Sequence, residues 1–319
     1  VTYSGPGWNR LRNENVSWEI GHKLDLGFDM QLFNALDITF DWFRERRTNI
    51  FQQKLSIPNY LGTANTKIYG NLAEVINKGF DMAVNYSKRI NNDLSIQFQG
   101  TFTYNNNKIS VYDEAPGKRE AMKSQGKNVN TVWGYVANGL YIDKADIANN
   151  PTSTLGNIAI APGDIKYVDQ PDRDGNYDGR ITSDDQVPLG VSVPKIIYGF
   201  GPSVGYKNWD FSVFFQGRGN VALMLSDIQP FGSSYRRGVL EFIDEDHWSP
   251  DNQNPNAKYP RLTDNYNNHN TVSSSYWLRN GRFLKLKNAE IGYSLKNMRF
   301  YVNGTNLLTF SPFKKWDPE

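Results

Sequence analysis

The 319-residue chain carries 35 Lys and Arg against 33 Asp and Glu, a formal charge of +2, so no basic field points to nucleic acid and no acidic tail is present. It has no cysteine, which excludes a disulfide framework and any Cys-ligated zinc or iron–sulfur site. Aromatic residues make up 14% of the chain, yet the mean hydropathy is −0.61 and no stretch approaches the ~18 consecutive apolar residues of a membrane helix; a β-barrel escapes that test, because its strands alternate lipid-facing and lumen-facing residues.

The chain opens Val1-Thr2-Tyr3-Ser4-Gly5, without the charged start and apolar core of a signal peptide, and so reads as mature or partial. Period-two alternation begins soon after. Leu24, Leu26, Phe28, Met30 and Leu32 alternate with Lys23, Asp25, Gly27, Asp29 and Gln31, which predicts a strand with one oily and one wet face. The pattern returns in Phe80, Met82, Val84 and Tyr86, then in Ile96, Phe98, Gly100, Phe102 and Tyr104 opposite Gln97, Gln99, Thr101 and Thr103. Later runs are Tyr198, Phe200, Val204 and Tyr206; Phe211, Val213 and Phe215; Ala289, Ile291, Tyr293 and Leu295; and Phe300, Val302, Leu308 and Phe310.

Turn residues at Asn34-Ala35, Asn91-Asn92-Asp93, Lys207-Asn208 and Lys296-Asn297 join these runs into four hairpins. At the opposite ends the connections are long: residues 48–67, 110–194 and 219–276. Short turns at one end and long loops at the other are the signature of a transmembrane barrel. The expected fold is therefore all-β, an antiparallel transmembrane β-barrel with long extracellular loops, in which residues 1–319 form one partial barrel domain. Phe33, Tyr206 and Trp209 near the tight turns, with Trp42, Phe43, Tyr86 and Tyr104 toward the other ends, suit two aromatic girdles.

Within the longest connection, residues 174–185 read as a calcium loop. Asp174, Asn176 and Asp178 occupy positions one, three and five, Gly179 the sharp turn, Arg180 the position of a ligating carbonyl, and Asp185 the closing position. Asp185 stands where glutamate is usual, and no helices flank the loop. A metal-free loop held by Asx-turns is the other reading. Asp244-Glu245-Asp246-His247-Trp248 resembles an acid–base cluster, but its members are sequence neighbours in an Asn/Pro-rich stretch rather than groups converging from separate elements, and it reads as a solvated charge run. His22, His247 and His269 have no metal-ligand spacing, and no catalytic residues are assigned: the chain is not read as an enzyme. Gly199-Phe200-Gly201 and Gly217-Arg218-Gly219 mark places where the backbone needs room. Loop aromatics Trp133, Tyr135, Tyr141, Tyr235 and Trp248 suit either stacking on sugar rings or packing of the loops on one another.

Several segments, in order, resemble the SusC/RagA family of TonB-dependent transporters. They are Asn77–Asp81, Gly163–Asp169 leading through the calcium-like loop to Leu189-Gly190, Pro194-Lys195 with Tyr198-Gly199, Phe211–Gly217, Trp277–Asn288, Tyr301–Leu307 and Trp316–Glu319. The resemblance covers essentially the whole chain but only the later part of a family member. It implies a 22-stranded barrel around an amino-terminal plug that contacts TonB, a SusD-like surface lipoprotein as lid, and oligosaccharide or peptide cargo crossing a Gram-negative outer membrane. Neither plug nor TonB-contacting segment is found in the sequence, nor the strand expected after Trp316-Asp317-Pro318-Glu319. The lumen face would be Asp25, Asp29, Asp81, Asn85, Gln97 and Gln99. A porin or other receptor barrel, and a soluble β-rich glycan-binding or adhesion module, are the competing readings.

Overall fold

Alternating side chains leave every backbone N–H and C=O in the plane of the sheet, and strands that bury neither face must find partners on both sides or stand at an edge. The computed structural model describes residues 10–57, 67–225, 238–263 and 267–319. It is 53% strand and 7% helix. The first four strands are β1 (Ile20–Leu32), β2 (Leu36–Gln53), β3 (Tyr69–Arg89) and β4 (Leu94–Val111). The connection after β4 carries β5 (Thr131–Gly134), β6 (Ala137–Leu140), α1 (Lys144–Ala148), β7 (Thr152–Ser153), β8 (Ile165–Tyr167), β9 (Arg180–Ile181) and β10 (Val187–Val191). Next come β11 (Ile196–Tyr206) and β12 (Trp209–Gly219), then β13 (Ala222–Met224), α2 (Glu241–Asp244), α3 (Asn268–Thr271) and β14 (Leu278–Asn280), and finally β15 (Phe283–Leu295) and β16 (Met298–Phe310).

Eight long strands form one antiparallel sheet in the order β1-β2-β3-β4-β11-β12-β15-β16, with β1 and β16 at its edges. All four hairpin turns fall where the turn residues place them. Phe33 and Asn34, Lys207, and Lys296 take positive φ at three of them, a conformation that tight hairpins need and that Asn tolerates better than most residues. The first long connection is shorter than expected: β2 continues to Gln53 and β3 begins at Tyr69. The register shifts between Arg47 and Ile50, with Asn49 at positive φ. This bulge breaks the alternation at Thr48, where the strand pattern of the sequence stops.

Register assigns the faces. Phe28, Phe40, Phe80 and Phe102 stand side by side across β1 to β4 with ring centroids 5.7, 5.8 and 5.6 Å apart. They belong to an apolar face that also holds Leu24, Leu26, Met30, Met82, Val204, Phe211, Ile291, Phe300, Val302, Leu308 and Phe310, every one of them exposed. An apolar surface of this extent, continuous over eight strands, marks a contact with lipid or protein rather than water. Two expected girdle residues stand elsewhere. Tyr86 pairs with Leu36 and Phe98 beside the tight turns, not at the far ends, and Phe43 lies on the polar face opposite Gly79, where its ring occupies the space a Cβ would fill.

The buried core is not in the sheet. It lies in the two long connections, which fold on one another into a cap where Tyr135, Leu140, Ile165, Tyr167, Ile181, Leu225, Ile243, Trp248, Tyr259 and Trp277 pack together with Phe313. The cap joins the two connections directly: Tyr135 N–H donates to the Ser273 carbonyl at 3.0 Å and Ser275 N–H returns to the Tyr135 carbonyl at 2.9 Å.

Candidate functional site

Two surfaces carry polar chemistry: the wet face of the sheet and an acidic loop in the cap. On the wet face, register brings together the residues expected to line a lumen, Asp25, Asp29, Asp81, Asn85, Gln97 and Gln99. Asp37 and Asp41 join them. Thr39 donates to Asp29 at 2.7 Å and Thr103 to Asp81 at 2.6 Å, cross-strand pairs that orient the carboxylates without neutralising them. Toward the other edge Arg299 of β16 reaches Asp210 of β12 and Glu290 of β15, tying three strands.

One further cluster of charges lies on this face. Lys285 and Lys287, two residues apart on β15, point to this same side just before the register shifts between Leu286 and Asn288, and both reach the same carboxyl-terminal segment. Lys285 Nζ donates to Asp317 and Glu319 at 2.7 Å, and Lys287 to Glu319 at 2.8 Å. The Lys285 side chain is 1% exposed, and only such doubly paired geometry makes a buried ammonium tolerable. The Gly199 and Gly201 pair makes room for Phe214, whose ring lies within 2.9 Å of where either Cβ would stand, as the sequence anticipates.

The acidic loop is built on a two-stranded parallel pair, β7 with β9. Thr152 N–H donates to the Gly179 carbonyl and Thr154 N–H to the Ile181 carbonyl, both at 2.9 Å, which fixes the loop's second half and buries Ile181 completely. Asp185 is buried and reaches back to cap the single 3-10 turn Ser183–Asp185 that it ends: its carboxylate accepts from Thr182 N–H at 2.7 Å and from Gln170 N–H at 2.9 Å. Asp178 accepts from Arg180 N–H at 2.8 Å. Asp174 and Asn176 are exposed at the tip, their N–H groups both donating to Asp172 Oδ1 at 2.8 Å. These are Asx-turns, in which acidic and amide side chains bond their own neighbouring backbone. Among the described residues no three carboxylate or imidazole side chains converge closely enough to hold a metal ion in this conformation.

One member of this cluster was invisible in the motif. Asp169, five residues before it, accepts from the N–H of the turn residue Gly179 at 2.8 Å through Oδ2. Its Oδ1 is buried with no hydrogen-bond donor. Burial pushes the Asp169 carboxyl above the usual carboxylate range, and the neighbouring Asp185 and Asp178 carboxylates raise it further. Arg119 spans the rim, donating to the carbonyls of Pro171 at 3.0 Å, Gln186 at 3.4 Å and Asp184. Together with Gln170, Thr182 and the loop tip it lines an open cleft of about 480 Å³.

The loop aromatics are placed as follows. Tyr135 is 4% and Trp248 7% exposed, both within the cap core, and Tyr141 is also buried; Trp133 is half-buried on β5; Tyr235 lies outside the described residues. Packing of the loops, one of the two roles foreseen for these rings, is the one Tyr135 and Trp248 fill. In the charge run near residue 245, His247 Nδ1 sits 2.8 Å from the Asp244 carbonyl, and Asp246 pairs with Lys258 at 2.6 Å, so its groups turn to separate partners.

No protein-family model matches the chain. Among curated proteins it is 28% identical to "TonB-dependent receptor P3" of Formosa agariphila, over 96% of this chain and 31% of that protein. It is 22% identical to "TonB-dependent receptor SusC" of Bacteroides thetaiotaomicron, over the whole of this chain and 31% of that protein. The chain thus spans about a third of the length of the curated relatives it matches. Among solved structures, "Structure of the RagAB peptide transporter" superposes with a TM-score of 0.65 at 20% identity, covering 96% of this chain and 33% of that one. The chain is SusC/RagA-like over nearly its whole length, and its sheet has the fold of the corresponding stretch of a TonB-dependent barrel.

Proposed function

We propose that this chain is part of the wall and external cap of a SusC-like, TonB-dependent importer in the outer membrane of a Gram-negative bacterium. The observation that carries the reading is the geometry of the sheet. Eight consecutive antiparallel strands keep an exposed apolar face and a polar face in register, with tight turns at one end and the folded cap at the other. Such a sheet suits lipid on one side and a water-filled or plugged lumen on the other.

In this reading the acidic and amide face carrying Asp25, Asp29, Asp81, Asn85, Gln97 and Gln99 meets the plug and the passing solute, while the cap meets a SusD-like lipoprotein lid. TonB supplies energy through the plug, outside this chain. The cargo is an oligosaccharide, for which the lumen's amide and carboxylate groups are suitable hydrogen-bonding partners. Peptide is the second reading, favoured by the likeness to the RagAB peptide transporter.

The test is uptake by cells expressing the full-length protein, with labelled oligosaccharides and labelled peptides offered separately, before and after loss of TonB. TonB-dependent uptake of either class supports import, and which one enters assigns the cargo. Uptake that is unaffected by TonB would point instead to a passive porin. A protein that stays monodisperse in detergent-free buffer would point to a soluble glycan-binding module.

A further inference from the structure

We propose that the segment from Asp169 to Asp185 binds one calcium ion, and that Asp169 rather than Asp174 opens its ligand set, alongside Asp178, the Arg180 carbonyl and Asp185. Three features of the loop support this, and none depends on the transport reading.

The first is the turn. Gly179 has φ +70° and stands at the sharp bend that brings flanking oxygens inward around a hard cation. The carboxylate that holds its N–H is Asp169, at 2.8 Å, and so Asp169 is the one fixed over the centre of the bend. Asp174 is exposed at the tip, its own N–H engaged with Asp172.

The second is an unanswered acceptor. Asp169 is 7% exposed, and its Oδ1 has no donor. A buried carboxylate oxygen lying against other carboxylates, with no donor for it, calls for a positive partner. Arg119, on the rim of the same cleft, turns Nη1 and Nη2 to the carbonyls of Pro171, Asp184 and Gln186, and no hydrogen bond joins it to Asp169.

The third is the direction of the backbone. The carbonyls of Gly179 and Ile181 both accept from the segment of β7, so strand alternation turns the Arg180 carbonyl to the opposite side. That orientation frees it as a neutral oxygen ligand. Asp185, held by two N–H groups at 2.7 and 2.9 Å, supplies a second buried carboxylate. Since the side chains do not yet converge to ligation distance, binding must draw the exposed 172–180 tip inward, carrying Asp178 with it. Flexible all-oxygen sites of this kind suit calcium better than magnesium, which demands a near-ideal octahedron.

Calorimetric titration of calcium chloride into the EDTA-stripped full-length protein tests this, comparing the natural sequence with Asp169→Asn and Asp174→Asn. Expected is binding that Asp169→Asn weakens by about tenfold or more and Asp174→Asn leaves within about twofold. Because an amide oxygen still accepts the Gly179 N–H, Asp169→Asn keeps the apo loop folded. Limited trypsin digestion gives an independent readout: calcium should slow cleavage after Arg173 and Arg180 in the natural sequence but not in Asp169→Asn. No calcium binding, equal binding in all three proteins, or loss confined to Asp174→Asn would each overturn the proposal.

Discussion

Asp164 and Arg261 meet inside the cap as a two-pronged ion pair, Nε to Oδ1 at 2.7 Å and Nη2 to Oδ2 at 3.1 Å, although they come from different long connections. Asp164 also accepts from the amides of Asn267 and Asn270 at 3.2 and 2.8 Å and from Ala161 N–H at 2.9 Å. The Asp164 side chain is 1% exposed, so every lone pair it offers is used within the protein. Asp164→Ala would leave a guanidinium and two amides without their acceptor, a loss of about 3–5 kcal/mol for a broken buried pair. Hydrogen exchange should then rise in both connections, residues 112–195 and 220–282, while strands β1 to β4 keep their protection. Unchanged protection in the second connection would show that this hub does not join the two.

Beside that pair, Gly163 has φ +87°, and a Cβ added there would run into the indole of Trp248. The ring is itself buried and has nowhere to retreat. Gly163→Ala therefore combines the left-handed penalty of about 1–2 kcal/mol with displacement of a core tryptophan. The expected result is a red-shifted tryptophan emission and easier proteolysis of the cap. Gly175, also at positive φ but with open space around it, should show only the backbone penalty on the same substitution.

How far these features can be read from the residues follows from their periodicity. The wall is legible because period two survives along Leu24 to Leu32 and its successors, and each tight turn announces itself with Asn or Lys-Asn. The end of β2 lies beyond the bulge near Asn49, where one extra residue reverses the parity on which face assignment rests, and the ion pairs of Lys285 with Asp317 and of Lys287 with Glu319 each span 32 residues, which alternation does not report. The cap has no such rhythm. Tyr135, Trp248 and Trp277 are apolar residues scattered through Asn- and Pro-rich sequence, and only tertiary contact makes them a core. Asp169 escaped because the calcium motif is counted from Asp174, whereas the hydrogen bond to Gly179 spans ten residues.

His269 gives the cap a dependence on pH. It is buried, with Nε2 2.6 Å from the Ile165 carbonyl, which fixes the proton on Nε2, and Nδ1 3.0 Å from the Ser153 hydroxyl. Burial holds its pKa below the usual 6.5; the nearby Asp164 carboxylate opposes this shift and Arg261 reinforces it. The unfolded cap thus binds a proton more readily than the folded one, and its stability is complete above about pH 6.5 and declines as pH falls below that value. Opening of the cap, followed by hydrogen exchange around Trp277, should increase between pH 7 and pH 5. His269→Gln, which cannot be protonated, should flatten that slope; a slope that survives the substitution would assign it to other groups.

The membrane reading makes its sharpest demand on neighbouring residues of one strand. Val302 and Asn303 are adjacent in β16, yet register puts Val302 opposite Ile291 on the apolar face and Asn303 opposite Glu290 on the polar one. Val302 is 73% exposed, so in water its replacement by arginine would be nearly without effect. Against acyl chains the same change costs about 2–4 kcal/mol near the bilayer midplane and less toward the interfaces. Val302→Arg should therefore reduce folding into lipid vesicles of the full-length protein far more than Asn303→Arg, whose charge falls beside Glu290. Equal tolerance of both substitutions would mean that the apolar face does not touch lipid, and the import reading would lose its physical basis.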